Sequence, residues 1–160
     1  NILFLLRDPI ERAKSNYRYS CRNGVETLPF ECAIKKEPER IHAYDPQRFS
    51  VSPFAYLTRG RYIEYLYMYE KLFPRRQLHV LQYERLVNSL HEVQALYAVL
   101  GVDPGFAPPA LDEVVNAAPS QELCLSADVE WYMKAYFLDS SQRLSQEYGI
   151  DLDLWPSACT

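Results

Sequence analysis

Ile2-Leu3-Phe4-Leu5-Leu6-Arg7-Asp8-Pro9-Ile10-Glu11-Arg12-Ala13-Lys14-Ser15 opens with five unbroken apolar residues, passes through Arg-Asp-Pro and continues in a helical pattern. An apolar run of that length, without polar alternation, predicts a strand buried on both faces, as in a parallel sheet. Asp8 is a good helix N-cap. Pro9 suits the first helical turn, where its missing N–H would lack a partner in any case. The strand therefore feeds a helix start with Arg7 beside it, and such a start attracts anions through its free N–H groups and its dipole. Ser15 lies eight residues past Arg7, about two turns into the helix. At helical spacing Glu11, Ser15, Arg18 and Arg22 share a polar face, while Ile10, Ala13 and Tyr17 share an apolar one.

Outward from this stretch, the helix begun at Pro9 is expected to run to about Ser20 and stop by Asn23-Gly24. Thr27 can cap a short helix from Leu28 to Lys36, limited by Pro38. Residues 37–55 hold Pro38, Pro46 and Pro53 among mixed charges without a clear period. They read as a long ordered loop, either a substrate-facing segment or a plain surface excursion. A helix is expected from Tyr56 to Phe73, striped by Tyr62, Leu66, Tyr69 and Phe73 and ended by Pro74. Leu78 to Tyr83 reads as a second strand, and Ser89 with Glu92 as a capping box for a helix ending at Leu100-Gly101. A connection containing Pro104, Pro108, Pro109 and Pro119 leads to a last helical region from about Ala127 to Tyr148. Gly149 ends it, and Asp139-Ser140-Ser141 is a candidate break within it. Strands alternating with helices predict an α/β fold, and no internal repeat is visible.

At 160 residues the chain has the size of a single domain, large enough to bury a core. Its net charge of −4 argues against a general nucleic-acid binder, which is usually basic. The distribution says more than the sum. Residues 1–86 carry 15 Lys and Arg against 10 Asp and Glu, whereas residues 87–160 carry 2 against 11. An anionic ligand is expected on the first half, unless the segregation is only a solvated surface. Cys21, Cys32, Cys124 and Cys159 show no C-x-x-C spacing, which argues against a zinc or redox motif, while their even number leaves disulfides open. No metal site is expected. No apolar run approaches the roughly 18–20 residues of a membrane span, and no signal peptide opens the chain. The P-loop pattern G-x-x-x-x-G-K-[ST] is absent, which counts against a kinase.

Arg7-Asp8-Pro9-Ile10-Glu11-Arg12-Ala13-Lys14-Ser15-Asn16-Tyr17 resembles the R-D-P-x-x-R-A-x-S-x-Y segment of sulfotransferases that use 3′-phosphoadenosine 5′-phosphosulfate (PAPS). Gly60-Arg61-Tyr62, with Leu66, Tyr69, Phe73 and Pro74, resembles the family's G-x-Y-x-x-x-L-x-x-W-x-x-x-F-P helix, Tyr69 replacing Trp. Val80 to Leu86 is similar to the V-L-x-Y-E-D-L strand, with Arg85 in place of Asp, and Leu100-Gly101-Val102 to the F-L-G-V helix end. Arg143-Leu144 through Trp155 resembles the closing helix and Trp of carbohydrate-type and bacterial members. The motifs fall in family order over nearly the whole chain.

The resemblance implies a P-loop-like three-layer α/β fold with a central parallel sheet, residues 1–160 forming one sulfotransferase-like domain that is N-terminally incomplete. It implies transfer of a sulfuryl group from PAPS to a hydroxyl or amine of a carbohydrate or other small acceptor, with adenosine 3′,5′-bisphosphate (PAP) as product. The alternative is a non-catalytic nucleotide-binding or interaction remnant of the fold. Arg7 and Ser15 take the positions that hold the cofactor's 3′-phosphate. A planar Arg fork and a short hydroxyl suit phosphate oxygens, though an Arg can equally pair with a carboxylate and a Ser be an ordinary solvated helix residue. Arg59, Gly60 and Arg61 are further cofactor-contact candidates; Gly60 either admits a close ligand or relaxes the helix entry. Arg12 is expected to anchor the helix through an ion pair, and Tyr62 to pack in the core rather than stack on adenine. Tyr83 and Glu84 resemble family residues with mostly structural roles. His79 and His91 look structural, and His42 sits in the long loop without an identifiable partner.

Two departures from the family pattern limit the expectation. The Lys-containing, Gly/Ser/Thr-rich 5′-phosphosulfate loop has no counterpart in the 160 residues, and the resemblance puts it ahead of Asn1 together with the usual His or Glu base. No catalytic residue is therefore assigned. A basic, Gly-rich cofactor segment near residues 117–128 is also missing. Acceptor identity and oligomeric state are not encoded in any recognised motif. Localisation follows the kind of member, cytoplasmic for bacterial and Golgi-lumenal for animal carbohydrate-type proteins.

Overall fold

Strand β1 (Ile2–Leu6) pairs in parallel with β2 (Leu78–Gln82), in a register running from Ile2 opposite Leu78 to Leu6 opposite Gln82. Parallel pairing needs a crossover. It is supplied by α1 (Pro9–Arg22), α2 (Phe30–Lys35), α3 (Glu37–Arg40), a 3₁₀ turn at Thr58–Gly60 and α4 (Tyr62–Glu70). Beyond β2 come α5 (Tyr83–Leu86), α6 (Leu90–Leu100), α7 (Ala127–Tyr148) and two 3₁₀ turns, Leu152–Leu154 and Pro156–Ala158. The structure is a computed structural model and describes residues 1–87, 89–109, 111 and 123–158. Asn88, Pro119, Cys159 and residues 117–122 of the stretch where family members carry a basic cofactor segment lie outside the described residues.

The helix α7 is the spine of the molecule. Val129, Met133 and Phe137 meet α1, α2, Tyr56 and Leu57 in one apolar cluster. Two turns further on, Leu144 joins Leu6, Tyr62, Ile63, Leu66, Ile150 and Trp155 in a second. Ser140 and Ser141 are buried, and the helix runs through them unbroken, so the candidate break at Asp139-Ser140-Ser141 does not occur. Gly149 ends α7 at φ 69°, the left-handed backbone that favours glycine.

Several expectations are corrected. Helices cover only the Phe4–Leu6 face of β1, and Leu3 and Leu5 are 43% and 52% exposed, so the strand is buried on one face rather than two. Helix α2 starts at Phe30 without a side-chain cap. Thr27 does not cap it, because the N–H groups of Thr27 and Leu28 both donate to Glu26 Oε1 at 2.9 Å. The next helix starts at Tyr62, not Tyr56, because Thr58–Gly60 forms a 3₁₀ turn and Arg61 leaves the helical backbone at ψ 65°, while Glu37 holds the turn from below. Leu57 N and Thr58 N donate to the Glu37 carboxylate at 2.5 and 2.8 Å, and Thr58 Oγ1 joins them at 2.8 Å. The 37–55 excursion contains α3 and is pinned at both ends: Glu26 also binds Arg40 at 2.9 Å and the Tyr56 hydroxyl at 2.8 Å. Ser89 Oγ caps α6 through Glu92 N at 3.3 Å, as expected. Cys21, Cys32 and Cys124, whose pairing the sequence left open, are exposed free thiols.

Candidate functional site

Where β1 ends, the chain is held by hydrogen bonds from three other parts of the molecule. The Tyr62 hydroxyl donates to the Arg7 carbonyl at 2.9 Å, and Asp8 N donates to Glu84 Oε1 at 2.9 Å. Asp8 Oδ1 caps α1, accepting from Ile10 N at 2.9 Å and Glu11 N at 3.1 Å, while Oδ2 accepts from Ser157 N at 2.9 Å. Glu84 Oε2 takes the Trp155 indole N–H at 2.9 Å. The C-terminal tail, the end of β2 and α4 thus converge on one strand-to-helix turn. This changes the reading of the helix start: Pro9 has no N–H, and those of Asp8, Ile10 and Glu11 already face carboxylates. The expected contribution of backbone N–H groups to anion binding is not available here, and the work falls to side chains.

The Arg7 side chain points away from this network, 39% exposed. Its Cζ lies 5.2 Å from the centroid of the Tyr83 ring, and Nη2 is 4.0 Å from Glu11 Oε2. The other Glu11 oxygen is 2.7 Å from Lys14 Nζ. Ser15 is exposed one turn beyond Glu11 on the polar face of α1, whereas Arg7 precedes the Asp8 cap and stands outside the helix.

Arg59, Gly60 and Arg61 are arranged differently. Gly60 is buried, and a Cβ added there would come within 2.6 Å of Phe137 Cε1 and 3.2 Å of Pro9 Cβ. Its glycine is explained by the close approach of α7 and the start of α1. Arg61 Nε is 2.6 Å from Glu64 Oε1, and its Cζ sits 5.5 Å over the Tyr136 ring. Arg59 lies near Arg12. Burial pushes the Arg12 guanidinium below its ordinary pKa; the field of Tyr62 opposes this, and that of Arg59 adds to it. Arg12 donates to the Tyr56 carbonyl, so it anchors the helix through a backbone acceptor rather than the expected ion pair. Tyr62 is core, as its burial shows, and its hydroxyl is spent on Arg7. The contacts of Arg7 and those of Arg61 share no residue.

A cleft of about 250 Å³ opens between the Asp8–Lys14 side of α1 and Glu130 and Lys134 of α7. Along α7 it is continued by an apolar groove of about 740 Å³ around Trp131, Phe137 and Leu138. His79 Nε2 is 3.2 Å from Asn1 Oδ1, and His42 and His91 are exposed. Among the described residues no group of three or more His, Cys, Asp or Glu side chains is placed to hold a metal, and no helix is long and apolar enough to cross a membrane. Tyr83, Glu84, Trp155 and Ser157 are the site residues that spacing did not reveal. The signal lay in the parallel register: Leu6 opposite Gln82 sets Arg7 beside Tyr83.

The fold defines a class: α/β proteins whose parallel strands are joined by a helical crossover. The sulfotransferase domain pattern matches residues 1–122, and the chain belongs to that family. The crystal structure of the sulfotransferase from Alicyclobacillus acidocaldarius is similar to it, with a TM-score of 0.78 and 30% sequence identity over 97% of this chain. The match spans 57% of that structure's chain, so the fold here corresponds to part of it. No curated protein matches the chain. The α/β fold with its parallel sheet, and the family read from the motifs, are both borne out.

Proposed function

We propose that residues 1–160 form a single sulfotransferase-domain unit that holds the 3′-phosphate of PAPS between Arg7 and Ser15. On this reading it serves sulfuryl transfer to a hydroxyl or amine of a carbohydrate or other small acceptor. The observation that carries the reading is the exposed Arg7 fork on a backbone fixed from three sides, followed by a helix that carries an exposed Ser15. The donor set fits the group. Guanidinium N–H groups match phosphate oxygens in a planar fork, a serine hydroxyl adds a short donor, and preorganisation lowers the cost of ordering them. PAPS, when bound, supplies a sulfuryl group on a phosphate leaving group. This chain's part is to bind and orient the nucleotide end remote from that bond.

Arg59 adds positive charge beside α1, supporting attraction of the anionic nucleotide to the basic half of the chain. Arg61 contributes to the same field from its ion pair with Glu64, and Gly60 shapes the turn that carries both. No residue is given the role of general base, the group that a hydroxyl acceptor requires.

Isothermal titration with adenosine 3′,5′-bisphosphate tests the proposal. The parent chain binds it, and Arg7→Ala weakens binding about 10- to 100-fold, the scale of lost charge-assisted hydrogen bonds. Equal binding by Arg7→Ala overturns the site assignment, and absence of binding by the parent overturns the function. Binding without sulfuryl transfer to any acceptor identifies the chain as a nucleotide-binding module instead.

A further inference from the structure

We infer that Lys14 is a positioning residue for the phosphate fork: it holds the Glu11 carboxylate off the Arg7 guanidinium and keeps that guanidinium open to an anion. The inference rests on the proposed phosphate role of Arg7. Glu11 stands one turn before Ser15 on α1 and reaches back toward Arg7, so its carboxylate occupies the neighbourhood of an arriving phosphate. It carries the wrong charge for that place. A carboxylate that closes on a guanidinium takes the paired N–H donors a phosphate needs, and it repels the phosphate as well. Distance decides which cation holds it. Glu11 Oε1 accepts from Lys14 Nζ at 2.7 Å, whereas Oε2 is 4.0 Å from Arg7 Nη2, beyond hydrogen-bond reach.

The surroundings of Lys14 favour this division. Lys14 and Glu11 line one wall of the cleft between α1 and α7, and Glu130 and Lys134 line the other. Glu130 is 3.3 Å from Lys134, so each wall pairs its own lysine with its own glutamate. Lys14 is the more sheltered partner of its pair, 21% exposed against 37% for Glu11, and a sheltered stem gives up less freedom in holding a carboxylate. Along α1 the glutamate precedes the lysine by three residues, the order that helix pairs favour. Arg7 lies before the Asp8 cap, outside the helix, and has no such fixed spacing to Glu11. The lysine therefore acts on the ligand through Glu11 and not by touching it.

The experiment compares the affinities of adenosine 3′,5′-bisphosphate and adenosine 5′-monophosphate, whose ratio isolates the 3′-phosphate. Lys14→Met is expected to lose about threefold in bisphosphate affinity, the scale of an exposed ion pair, and to keep the monophosphate affinity. Glu11→Gln gains about threefold on the bisphosphate alone, because the competing charge is gone. In that Glu11→Gln background Lys14→Met leaves the ratio nearly unchanged, as the group it restrains no longer competes. Lys14→Arg keeps the parent ratio, and Lys14→Gln gives the same reading as K14M should that variant fail to fold. A bisphosphate loss as large in the E11Q background as in the parent makes Lys14 a direct phosphate contact and overturns the inference. A parent-like ratio in K14M, or equal losses for both nucleotides, overturns it too, and all of these results leave the Arg7 assignment standing. A parent chain that does not prefer the bisphosphate overturns the phosphate reading itself, and this inference with it.

Discussion

The turn at Arg7-Asp8 and the turn at Thr58–Gly60 both bring an arginine beside α1, and each is held by carboxylates that accept backbone N–H groups. At the first, Asp8 and Glu84 lock the backbone and the Arg7 side chain is left outside, half exposed. At the second, Glu37 is buried beneath the turn, Gly60 is pressed on Phe137, and the nearby Arg12 is desolvated. The first is a display, with a fixed backbone and an available cation. The second is a foundation, in which polar groups are consumed by holding the chain itself. The same interaction type therefore predicts different consequences: damage at the foundation lowers stability, and damage at the display lowers binding.

Glu37→Ala is the strongest way to test that division. It leaves Leu57 N, Thr58 N and the Thr58 hydroxyl without their acceptor in a buried setting. At about 1–3 kcal/mol for an unsatisfied buried group, the variant is expected to lose about 3 kcal/mol or more, read from denaturant midpoints. Gly60→Ala comes next, at about 1–3 kcal/mol of overpacking against Phe137. Pairing it with Phe137→Leu recovers part of the loss if the ring edge is the obstacle. Full recovery of stability without recovery of nucleotide binding would instead give Gly60 a ligand role and move it to the display side.

These two regions also mark where the sequence was readable. The Arg7 turn was legible because its signals are local: a strand-length apolar run, an N-cap at Asp8, Pro9 in the first turn, and Ser15 at helical spacing. The same holds for the capped start of α6 and the Gly149 end of α7. The second turn was not legible. Its helix pattern extends back to Tyr56, but the chain makes a 3₁₀ turn at Thr58–Gly60 that is held by the carboxylate of Glu37, 20 residues before Leu57. Thr27 was misread for a local reason: the adjacent Glu26 takes its N–H. The exposed face of β1 was hidden because an unbroken apolar run does not reveal which face helices will cover. Tyr83 was read only as mostly structural, because its place beside Arg7 depends on the register of two strands far apart in sequence.

Glu26 offers a pH-resolved version of the foundation. Burial alone would raise its pKa, but hydrogen bonds from Leu28 N, Arg40, the Tyr56 hydroxyl and Thr27 N outweigh it, and the net shift is downward from 4.5. A carboxyl depressed in the folded state contributes stability above its unfolded pKa and loses it as pH falls through the folded value. Stability is therefore expected to drop as pH falls below about 4.5, with a shallower drop in Glu26→Gln, measured by denaturation midpoints on both sides of that pH. An unchanged acid limb in E26Q would remove Glu26 from the foundation.

The smallest expected stability effect belongs to Arg7→Ala, and it bears most directly on the comparison. The side chain is 39% exposed, its ion pair to Glu11 is long at 4.0 Å, and its stacking on Tyr83 lies at the surface. Exposed pairs of this kind contribute about 0–1 kcal/mol, and removing Arg7 also relieves nothing buried, because the turn is held by Asp8, Glu84 and Tyr62. The unfolding free energy should stay within about 0.5 kcal/mol of the parent while bisphosphate binding weakens about 10- to 100-fold. A loss comparable to that of Gly60→Ala would mean that the Arg7 side chain supports the turn rather than being presented by it. The two turns would then be a single structural device, and the basis for assigning Arg7 to a ligand would be gone.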